Sequence, residues 1–421
     1  MAPRGSRHCG QEIQLVEIIK GWDGMSYETP FAGLKVIDLS QGVAGPYCGM
    51  LLAQYGADVI KVEPIEGGDW ARNLGVVYGD QCAYSIPANL GKRSIALDLK
   101  PEAGKDILWR LIEGADVFIQ GFRPGVIERL GFHYDAVAAR EPRILYLSIS
   151  GFGQRGLFAE RPAMDPVLQA FTGLTLENRG EDGIPHRVPV IPIDMSTAIY
   201  AFGAVSTALF ARQSQPLGRH IEASLMQAAA GLQVVRMMQS HLEGGEVRPS
   251  APPSGVYRTT DGFLSVTVVR PAEWTGFCGV IERDDLAAEA ALATHPGRLD
   301  VADRLWPLFR ATMAERTNAE WSARLTERRV MHEAINAYGD FLAHPHLRES
   351  RAVAWLEHPH VPRPLPLPNI IGLPEFVSGT ARALSPGLGQ HTNDILRAHG
   401  FAADRIAAWT TGGVISQGAA I

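Results

Sequence analysis

Cysteine is scarce in this sequence: four occur among 421 residues, and no two of them form a CxxC pair. This spacing supports neither a disulfide framework nor a cysteine zinc site, so we predict reduced thiols in a cytoplasmic protein. Basic residues are not in excess either, because 39 Lys and Arg face 45 Asp and Glu, for a net charge of -6. A nucleic-acid-binding protein normally shows a basic surplus, and we therefore expect no nucleic-acid partner.

Long hydrophobic runs are also missing. The longest apolar stretch, from Ile199 to Ala211, is interpreted as too short to span a bilayer, so no membrane association is expected. Residues 1–24 lack the apolar core of a secretory signal and are predicted to form an N-terminal extension. The turn after the first predicted strand is SQGVAGP rather than GxGxxG, so no NAD or FAD cofactor is expected. The pairs His344/His346 and His358/His360 match no standard ligand spacing, so no metal is expected.

The first half of the chain alternates short apolar strands with amphipathic helices. This alternation predicts an α/β fold with a mostly parallel sheet covered on both faces, in a large domain over residues 25–217. The predicted strands cover residues 34–39, 58–62, 94–99, 116–120 and 144–149, and the clearest predicted helices cover residues 101–114 and 196–212.

The second half has a different pattern. A hairpin is predicted over residues 256–269, turning at Asp261-Gly262, and helices follow it, which indicates a smaller α+β domain over residues 226–335. A proline-dense segment, residues 358–374, leads to a last helical region over residues 392–409. Residues 345–421 are assigned to a C-terminal segment.

Three stretches carry candidate binding chemistry. The turn SQGVAGP follows the first strand, and its Gly42 and Gly45 would let backbone N–H groups approach a phosphate or an adenine at the start of a helix. Such a turn is also an ordinary strand–helix connection. The stretches NLGKR (residues 89–93) and RPGVIER (residues 123–129) place basic side chains at strand ends, where they either bind phosphate or form solvated surface charge.

Asp165 stands in RPAMDPVLQAFTG, after the glycine-rich stretch that includes Gly151 and Gly153. An Asp before Pro at the start of an apolar helix is first of all a good helix N-cap. A carboxylate beside an acyl-carrier site can instead act as a covalent nucleophile. The residues by themselves leave both interpretations open.

Taken together, these stretches resemble the family III CoA-transferases, which include formyl-CoA transferase and carnitine CoA-transferase. The resemblance is collinear from about residue 25 nearly to the C-terminus. The matching runs are FAGLKVIDLSQGVAGPYCGMLLAQYGADVIKVEPIEGGDWAR, NLGKRSIALDLK, FRPGVIERLGF, YLSISGFGQRG, RPAMDPVLQAFTG, DMSTAIYAFGAVSTALFARQSQPLGRHIEASLMQA, AHPHLRES and LGQHTNDIL.

The resemblance implies a fold: a Rossmann-like large domain, a smaller domain and two linkers, with the C-terminal segment returning to the large domain. It also implies an obligate homodimer of two interlocked ring-like chains. Coenzyme A, as acyl-CoA, and a small carboxylic acid are the implied ligands.

The resemblance also implies the site. Asp165 takes the place of the catalytic aspartate, and the implied CoA contacts are Val43, Ala44, Asn89, Lys92, Phe122 and Arg129. Backbone N–H groups near Gly151, Gly153 or Gly255 are candidates for oxyanion stabilisation. The chain departs from family members at Pro64, Gly121, Ser150 and the loop of residues 252–255, and these departures put an oxalate-type substrate in doubt.

The implied reaction is transfer of CoA between carboxylic acids through an aspartyl mixed anhydride and an aspartyl-CoA thioester. One alternative is an isomerase similar to the α-methylacyl-CoA racemases, which pair Asp with an upstream His. Met164 precedes Asp165 where those racemases show GHD; His133 lies upstream, but Asp135 occupies the expected position. The other alternative is a CoA-binding paralogue without catalytic activity.

Overall fold

The structure is a computed structural model that describes residues 29–180, 182–245 and 250–419. The predicted N-terminal extension, residues 1–24, lies outside the described residues. The described chain forms two compact units. The first contains the residues up to Val234 together with those from Arg351 onward, and the second spans Val235–Ser350.

The strands and helices are numbered in chain order. The strands are β1 (Lys35–Asp38), β2 (Asp58–Glu63), β3 (Val77–Tyr78), β4 (Gln81–Cys82), β5 (Arg93–Leu97), β6 (Val117–Gln120), β7 (Leu145–Ser150), β8 (Arg219–Ser224), β9 (Gly255–Arg258), β10 (Phe263–Thr267), β11 (Met331–Ala334), β12 (Val353–His358), β13 (Val361–Pro368) and β14 (Ile415–Ser416).

The α-helices are α1 (Ala44–Gln54), α2 (Ser85–Asn89), α3 (Glu102–Ile112), α4 (Val126–Leu130), α5 (Tyr134–Arg140), α6 (Asp165–Phe171), α7 (Leu174–Glu177), α8 (Pro192–Ala211), α9 (Leu225–Leu232), α10 (Val234–Leu242), α11 (Pro271–Val280), α12 (Asp284–Ala288), α13 (His295–Asp300), α14 (Ala302–Met313), α15 (Asn318–Glu327), α16 (Tyr338–Ala343), α17 (Pro345–Glu349), α18 (Thr392–Ala398) and α19 (Ala403–Thr411). Short 3₁₀ turns occur at Trp70–Asn73, Ala290–Ala293 and Ala381–Ala383.

The first unit is built on a seven-stranded sheet in the order β14-β5-β2-β1-β6-β7-β8. Every neighbouring pair is parallel except β14 with β5. The α/β prediction with a mostly parallel sheet is therefore confirmed. The order runs outward from β1 in both directions, so the connections after β1 and β6 diverge and leave a crevice at the carboxyl ends of these strands, where ligands bind in open α/β sheets.

Alternate side chains of the central strands enter two different cores. Val36 of β1 and Val117 of β6 pack on one face with residues of α1, α8 and α9. Ile37 and Phe118 point to the other face and pack with residues of α3, α5, α18 and α19. Both faces of the sheet are buried, which explains why these strands read as continuous apolar runs.

Helix α8 begins four residues earlier than the sequence predicts and has 20 residues. Its length and composition therefore meet the requirement for a membrane span, contrary to the interpretation of residues 199–211 as too short. Core helices meet the same requirement, and α8 packs against α1, α9 and the sheet, with 39% of its most apolar window buried. The backbone N–H groups at the N-terminus of α8 donate hydrogen bonds to Asp165.

Two further elements of the first unit are absent from the sequence prediction. Strand β8 (RHIEAS) extends the sheet beside β7, although its residues are mostly half-exposed and polar. The proline-dense segment contains strand β13, which pairs with β12 just before it to form a hairpin, rather than a simple connection to helices. Its apolar side chains Leu356, Val361 and Leu367 pack with Met50 of α1 and Ile86 of α2.

The second unit has a three-stranded antiparallel sheet in the order β11-β10-β9. Strands β9 and β10 form the predicted hairpin, which is confirmed. The helices α11, α14 and α15 contribute buried aromatic side chains, among them Trp274, Phe309 and Trp321, to a separate core.

Candidate active site

A cleft of about 500 Å³ opens at the carboxyl ends of β1, β6 and β7. Residues 39–41 and 43–45 after β1, 121–124 after β6 and 149–151 at the end of β7 line it, together with Met164, Asp194 and other residues. A second cleft of about 420 Å³ lies beside it and shares Leu39, Gln41 and Phe122. The two clefts therefore adjoin at the point where the strand order diverges.

The turn between β1 and α1 lies over buried charged residues. Asp69 accepts hydrogen bonds from the N–H groups of Gly42 at 2.8 Å and Ala71 at 3.0 Å, and it pairs with the Lys61 ammonium at 2.8 Å. The Lys61 ammonium also donates to the Ser40 carbonyl. Gly42 has φ +86°, and a Cβ there would lie 2.4 Å from the Trp70 ring, so only glycine fits this turn.

Lys92, a predicted CoA contact, belongs to the same buried layer. Its ammonium donates to Asp38 at 2.8 Å, the Pro46 carbonyl at 2.7 Å and the Asn89 side chain at 3.0 Å. We call Asp38, Lys61, Asp69 and Lys92 the ion cluster; each is at most 4% exposed. Asn89 is equally buried and donates to the Ser85 carbonyl. Because their polar atoms already have protein partners, a CoA contact of Asn89 or Lys92 requires exchange of partners and stays a prediction.

Opposite charges balance one another in this layer. Burial raises the pKa of the Asp38 carboxyl, but the Lys92 and Lys61 ammonium groups outweigh burial, and the net pKa lies below its usual value. Glu63 lies next to the cluster, where burial also raises its pKa, and the bidentate Arg72 guanidinium at 2.7 and 2.9 Å brings the net value below the usual one. The neighbouring cations therefore stabilise Asp38 and Glu63 as anions.

Asp165 begins helix α6 and is 1% exposed. Its side chain does not cap its own helix. Oδ2 accepts hydrogen bonds from the backbone N–H groups of Ile193 at 2.7 Å and Asp194 at 3.0 Å, in the first turn of α8, and Oδ1 accepts from the Gln169 side chain at 2.6 Å. All three groups donate, and a helix N-terminus favours negative charge. The carboxylate is thus held in one orientation, next to Met164 of the cleft wall.

Asp194 places a second carboxyl beside the first. Its side chain lines the cleft, and burial, with a smaller contribution from Asp165, raises its pKa to about 7. Sequence reasoning did not single out this residue. Its one signal was an acidic residue in the first turn of a long apolar helix, which is an ordinary helix feature until Asp165 is known to lie there.

The loop after β7 lies opposite these acids. Gly151 lines the cleft, and a Cβ at this position would lie 2.3 Å from the Cβ of Ala163, two residues before Asp165. Gly153 has φ +96° in the same loop. The close approach of residues 151 and 163 brings the backbone of the glycine-rich loop next to the segment that leads into α6 and the nucleophile candidate.

The remaining predicted residues divide between the two units. Val43 and Ala44 lie at the start of α1 and, with Phe122, line the cleft. Arg129 is exposed on α4. Gly255 belongs to the second unit, where it begins β9, and a Cβ there would lie 2.8 Å from the Trp306 ring.

Two alternative arrangements lack access to the cleft. His133 and Asp135, weighed for a racemase, are not among the residues that line it. Ser148 lies 2.8 Å from the His220 ring, which faces Glu222 at 3.8 Å, but Ser148 is buried within β7 and is absent from the cleft wall. Within residues 29–180, 182–245 and 250–419, no group of three or more His, Cys, Asp or Glu side chains is arranged to hold a metal ion.

The sequence matches the profile of CoA-transferase family III over residues 31–392. An acyl-CoA transferase from Fusarium pseudograminearum is 30% identical over 410 residues, which cover 93% of this chain and 89% of the relative. The acetyl-CoA:oxalate CoA-transferase of Acetobacter aceti is 33% identical over 299 residues, or 69% of this chain and 77% of the relative.

A solved structure shows the same similarity. The crystal structure of a CAIB/BAIF family protein from Brucella suis superimposes with a TM-score of 0.75 at 27% identity and covers 88% of this chain and 100% of its own. The similarity thus extends over both units of the chain rather than over the large sheet alone.

Proposed function

The chain belongs to CoA-transferase family III, and from this premise we propose that it moves CoA from an acyl-CoA donor to a carboxylic acid, with Asp165 as the covalent nucleophile. The observation that carries the proposal is the placement of Asp165. It is a buried carboxylate whose two oxygens are held by three N–H donors, next to a cleft that runs along the carboxyl edge of a parallel sheet.

The reaction follows from the groups at the cleft. An oxygen of Asp165 attacks the thioester carbonyl carbon of the donor, and the carbon–sulfur bond breaks to give a mixed anhydride and free CoA. The CoA sulfur then attacks the Asp165 carbonyl carbon, the donor acid leaves, and an aspartyl-CoA thioester remains. An acceptor carboxylate repeats both steps in reverse. Each intermediate keeps the Asp165 carboxyl activated, as an anhydride or as a thioester, so the scheme requires no ATP.

Each attack places negative charge on a carbonyl oxygen. We assign its stabilisation to the backbone of the loop that contains Gly151 and Gly153, since Gly151 lines the cleft and approaches residue 163 closely. A donor of this kind typically contributes about 3 kcal/mol to the transition state. Gly255, in the second unit, remains a further candidate from the resemblance.

We assign the nucleotide half of CoA to the adjoining clefts. Val43, Ala44 and Phe122 provide apolar wall and the start of α1, and the basic Arg129 follows on α4. An extended ligand is supported by the residues that the two clefts share. The oxalate specificity in the name of the Acetobacter relative is not assigned to this chain, because the departures at Gly121 and Ser150 lie in the wall of the cleft.

We also propose a homodimer, in which two chains interlock as the resemblance implies. Helix α8 presents apolar side chains to solvent in the single chain, including Ile199 at 58%, Tyr200 at 56% and Phe210 at 75% exposure, which supports a further contact surface. Analytical ultracentrifugation should show dimers at every dilution. A folded monomer at low concentration would contradict interlocking.

The experiment that tests the proposed function is trapping of the intermediate. Incubation of the full chain with acetyl-CoA or succinyl-CoA in hydroxylamine should convert the activated carboxyl to a hydroxamate, and peptide mass spectrometry should locate it at Asp165. Asp165→Asn should give no adduct, while the exposed Asp106→Asn on α3 should react like the wild type. A hydroxamate at another acid would reassign the nucleophile. Release of CoA without an adduct would instead indicate direct hydrolysis.

The racemase alternative makes a different prediction. It requires exchange of the substrate α-proton, which deuterated water would reveal at the α-carbon of recovered acyl-CoA. The transferase should incorporate no deuterium and should exchange CoA with a free acid.

A further inference from the structure

Asp194 is a cleft residue whose carboxyl has no assigned role in this reaction. It lies in the first turn of α8 and faces the cleft that also contains Ser150, Gly151 and Met164. Within the described residues its side chain forms no hydrogen bond and no ion pair. The residue is half-buried, and a carboxyl that is partly withdrawn from water without a partner favours its neutral form.

The position of Asp194 is tied to the nucleophile. Its backbone N–H donates to Oδ2 of Asp165 at 3.0 Å, so the two residues meet at one helix N-terminus. The N–H groups of Ile193 and Asp194 both point to Asp165, which receives the stabilisation that this helix end offers to an anion. The Asp194 carboxyl accepts no hydrogen bond from these two groups and lies beside the Asp165 carboxylate.

The electrostatic surroundings favour a proton on Asp194 near neutral pH. Burial raises its pKa to about 7, and repulsion by Asp165 adds to that effect. The charged side chains among the other cleft residues are Arg123, in the loop after β6, and Arg161, in the loop before α6, and neither pairs with Asp194. A group with a pKa close to the working pH is well suited to carry a proton in both directions.

We propose that Asp194 is the proton carrier of the site, which protonates the departing CoA sulfur and later removes that proton. This inference rests on the proposed function. In the first step Asp165 bonds to the acyl carbon, the carbon–sulfur bond breaks, and the Asp194 proton passes to sulfur. The products are the anhydride, CoA thiol and the Asp194 carboxylate.

In the second step the Asp194 carboxylate takes the thiol proton as sulfur attacks the Asp165 carbonyl carbon. The bond between that carbon and the bridging oxygen breaks, and the donor acid leaves as its carboxylate. Asp194 is neutral again. The two aspartates together carry one negative charge before the first step, one between the steps and none after the second, when the charge departs with the acid. They therefore never need to be anionic at the same time, which their proximity would penalise.

The thiol supplies the chemical reason for such a carrier. A thiol has an ordinary pKa of about 8.5, so free thiolate is a minor species at neutral pH and must be generated again for the return attack. Asp194 is a catalytic residue in this scheme, because its proton moves to and from the reacting sulfur.

The test is the rate of CoA release from acetyl-CoA or succinyl-CoA in hydroxylamine, followed with a thiol reagent from pH 5.5 to 8.5. In the wild type the acylation rate should fall as pH rises past about 7, because Asp194 loses its proton. Asp194→Asn should react roughly 100-fold more slowly and lose this pH limb. Asp194→Glu should keep a limb, with a shifted midpoint. The exposed Asp106→Asn is the matched control and should behave like the wild type.

The outcomes separate this inference from the function beneath it. If the wild type forms the Asp165 hydroxamate but Asp194→Asn keeps both rate and pH limb, Asp194 carries no proton and the nucleophile assignment stands. If the wild type forms no adduct, the proposed function is overturned, and the role proposed for Asp194 is overturned with it. Should Asp194→Asn not fold, infrared difference spectra of wild type against Asp194→Glu at pH 6 decide, and absence of a neutral carboxyl band that shifts between them overturns the proposal.

Discussion

Two acidic regions of the first unit, the ion cluster at the central strands and the start of α8, surround their acids with charges of opposite sign. In the ion cluster, Asp38 lies between two ammonium groups, and its pKa lies below the usual value once their charge outweighs burial. At the start of α8, Asp194 has an acid as its charged neighbour, and burial raises its pKa to about 7. Burial is the common factor, and the neighbouring charge decides the sign of the shift.

The difference indicates which region supports the fold and which performs chemistry. The ion cluster balances its charges, bonds to the backbone of the β1–α1 turn and has little accessible surface. The pair Asp165 and Asp194 has no balancing cation, and Asp194 lines a cleft whose wall also contains Met164, the neighbour of Asp165. Strong pKa perturbation in a cleft is typical of active sites, whereas balanced buried pairs also occur for structural reasons.

The sharpest contrast should come from replacing each aspartate by asparagine. Asp165→Asn keeps the shape and an oxygen for the α8 N–H groups but removes the nucleophile, so CoA transfer should fall by at least about 10³-fold. Its stability should change by only about 1 kcal/mol, as for a helix cap. Asp38→Asn should show the reverse, with lower stability and a smaller effect on turnover per folded molecule.

Steady-state transfer assays and urea unfolding on the same preparations check this contrast. If Asp165→Asn were as destabilising as Asp38→Asn and still transferred CoA, Asp165 would be a structural residue of α8, and the distinction between the two regions would disappear.

The next largest effect concerns Lys92. Lys92→Met removes one ammonium from the ion cluster and leaves Asp38 buried with a single cation, which should cost about 3–5 kcal/mol of unfolding free energy. The double variant Asp38→Leu/Lys92→Met removes both charges and should recover a large part of that loss. Urea unfolding monitored by circular dichroism measures both. A loss under about 1 kcal/mol in the single variant would show that the cluster is not structural and would favour the predicted CoA contact.

The fold was largely predictable because the central strands are buried on both faces. Runs such as DVIKV and LYLSIS carry that burial in their composition. Strand β8 was missed because an edge strand with the sequence RHIEAS has no such signal. The hairpin β12–β13 was missed because VPRPLPLP contains prolines, which are tolerated at an edge strand but argue against a central one.

The site was less predictable, and the reason is physical. Asp165 could be placed through the resemblance, but the residues alone could not separate a nucleophile from a helix cap; in the structure it bonds to the start of a different helix, 28 positions along the chain. Lys92 looked like a basic residue at a strand end, and the proximity of Asp38 emerges only when β1 and β5 join one sheet. Nothing in the sequence set Asp194 apart from other first-turn acids, because its raised pKa depends on burial and on Asp165, which only folding brings beside it.

The pH dependence of the unfolding free energy also distinguishes the ion cluster from the acids at the start of α8. The folded state holds a proton on Asp194 up to about pH 7, whereas an unfolded chain releases it near pH 4. The native state therefore binds more protons over this interval, and the contribution of Asp194 lowers stability as pH rises from 4 to 7. Asp194→Asn removes the group, so its stability relative to wild type should rise by roughly 2–4 kcal/mol over the same interval.

The ion cluster should show the opposite sign. Because the pKa of Asp38 lies below its usual value, the stabilisation it provides is present above about pH 4 and is lost as pH falls through the lower, folded-state pKa. Urea unfolding at intervals between pH 4 and 8 measures the difference in unfolding free energy between Asp194→Asn and the wild type. The contributions of all other titrating groups cancel in this difference. A constant difference would mean that the Asp194 pKa is ordinary in the folded protein.

The smallest effect is expected at Arg129, an exposed cation that the resemblance assigns to CoA binding. Arg129 is exposed on α4 and forms no ion pair among the described residues, in contrast to the fully engaged Lys92. If Arg129 contacts a CoA phosphate far from the thioester, it binds ground state and transition state alike, so Arg129→Ala should raise KM for acyl-CoA about fivefold, or about 1 kcal/mol, with kcat unchanged. Arg363→Ala, at an exposed position of β13, is the control and should change neither constant. Unfolding free energies should match the wild type in both variants, because neither cation is buried. A fall in kcat at constant KM would place Arg129 at the reacting end of the substrate and would move the predicted phosphate contact elsewhere.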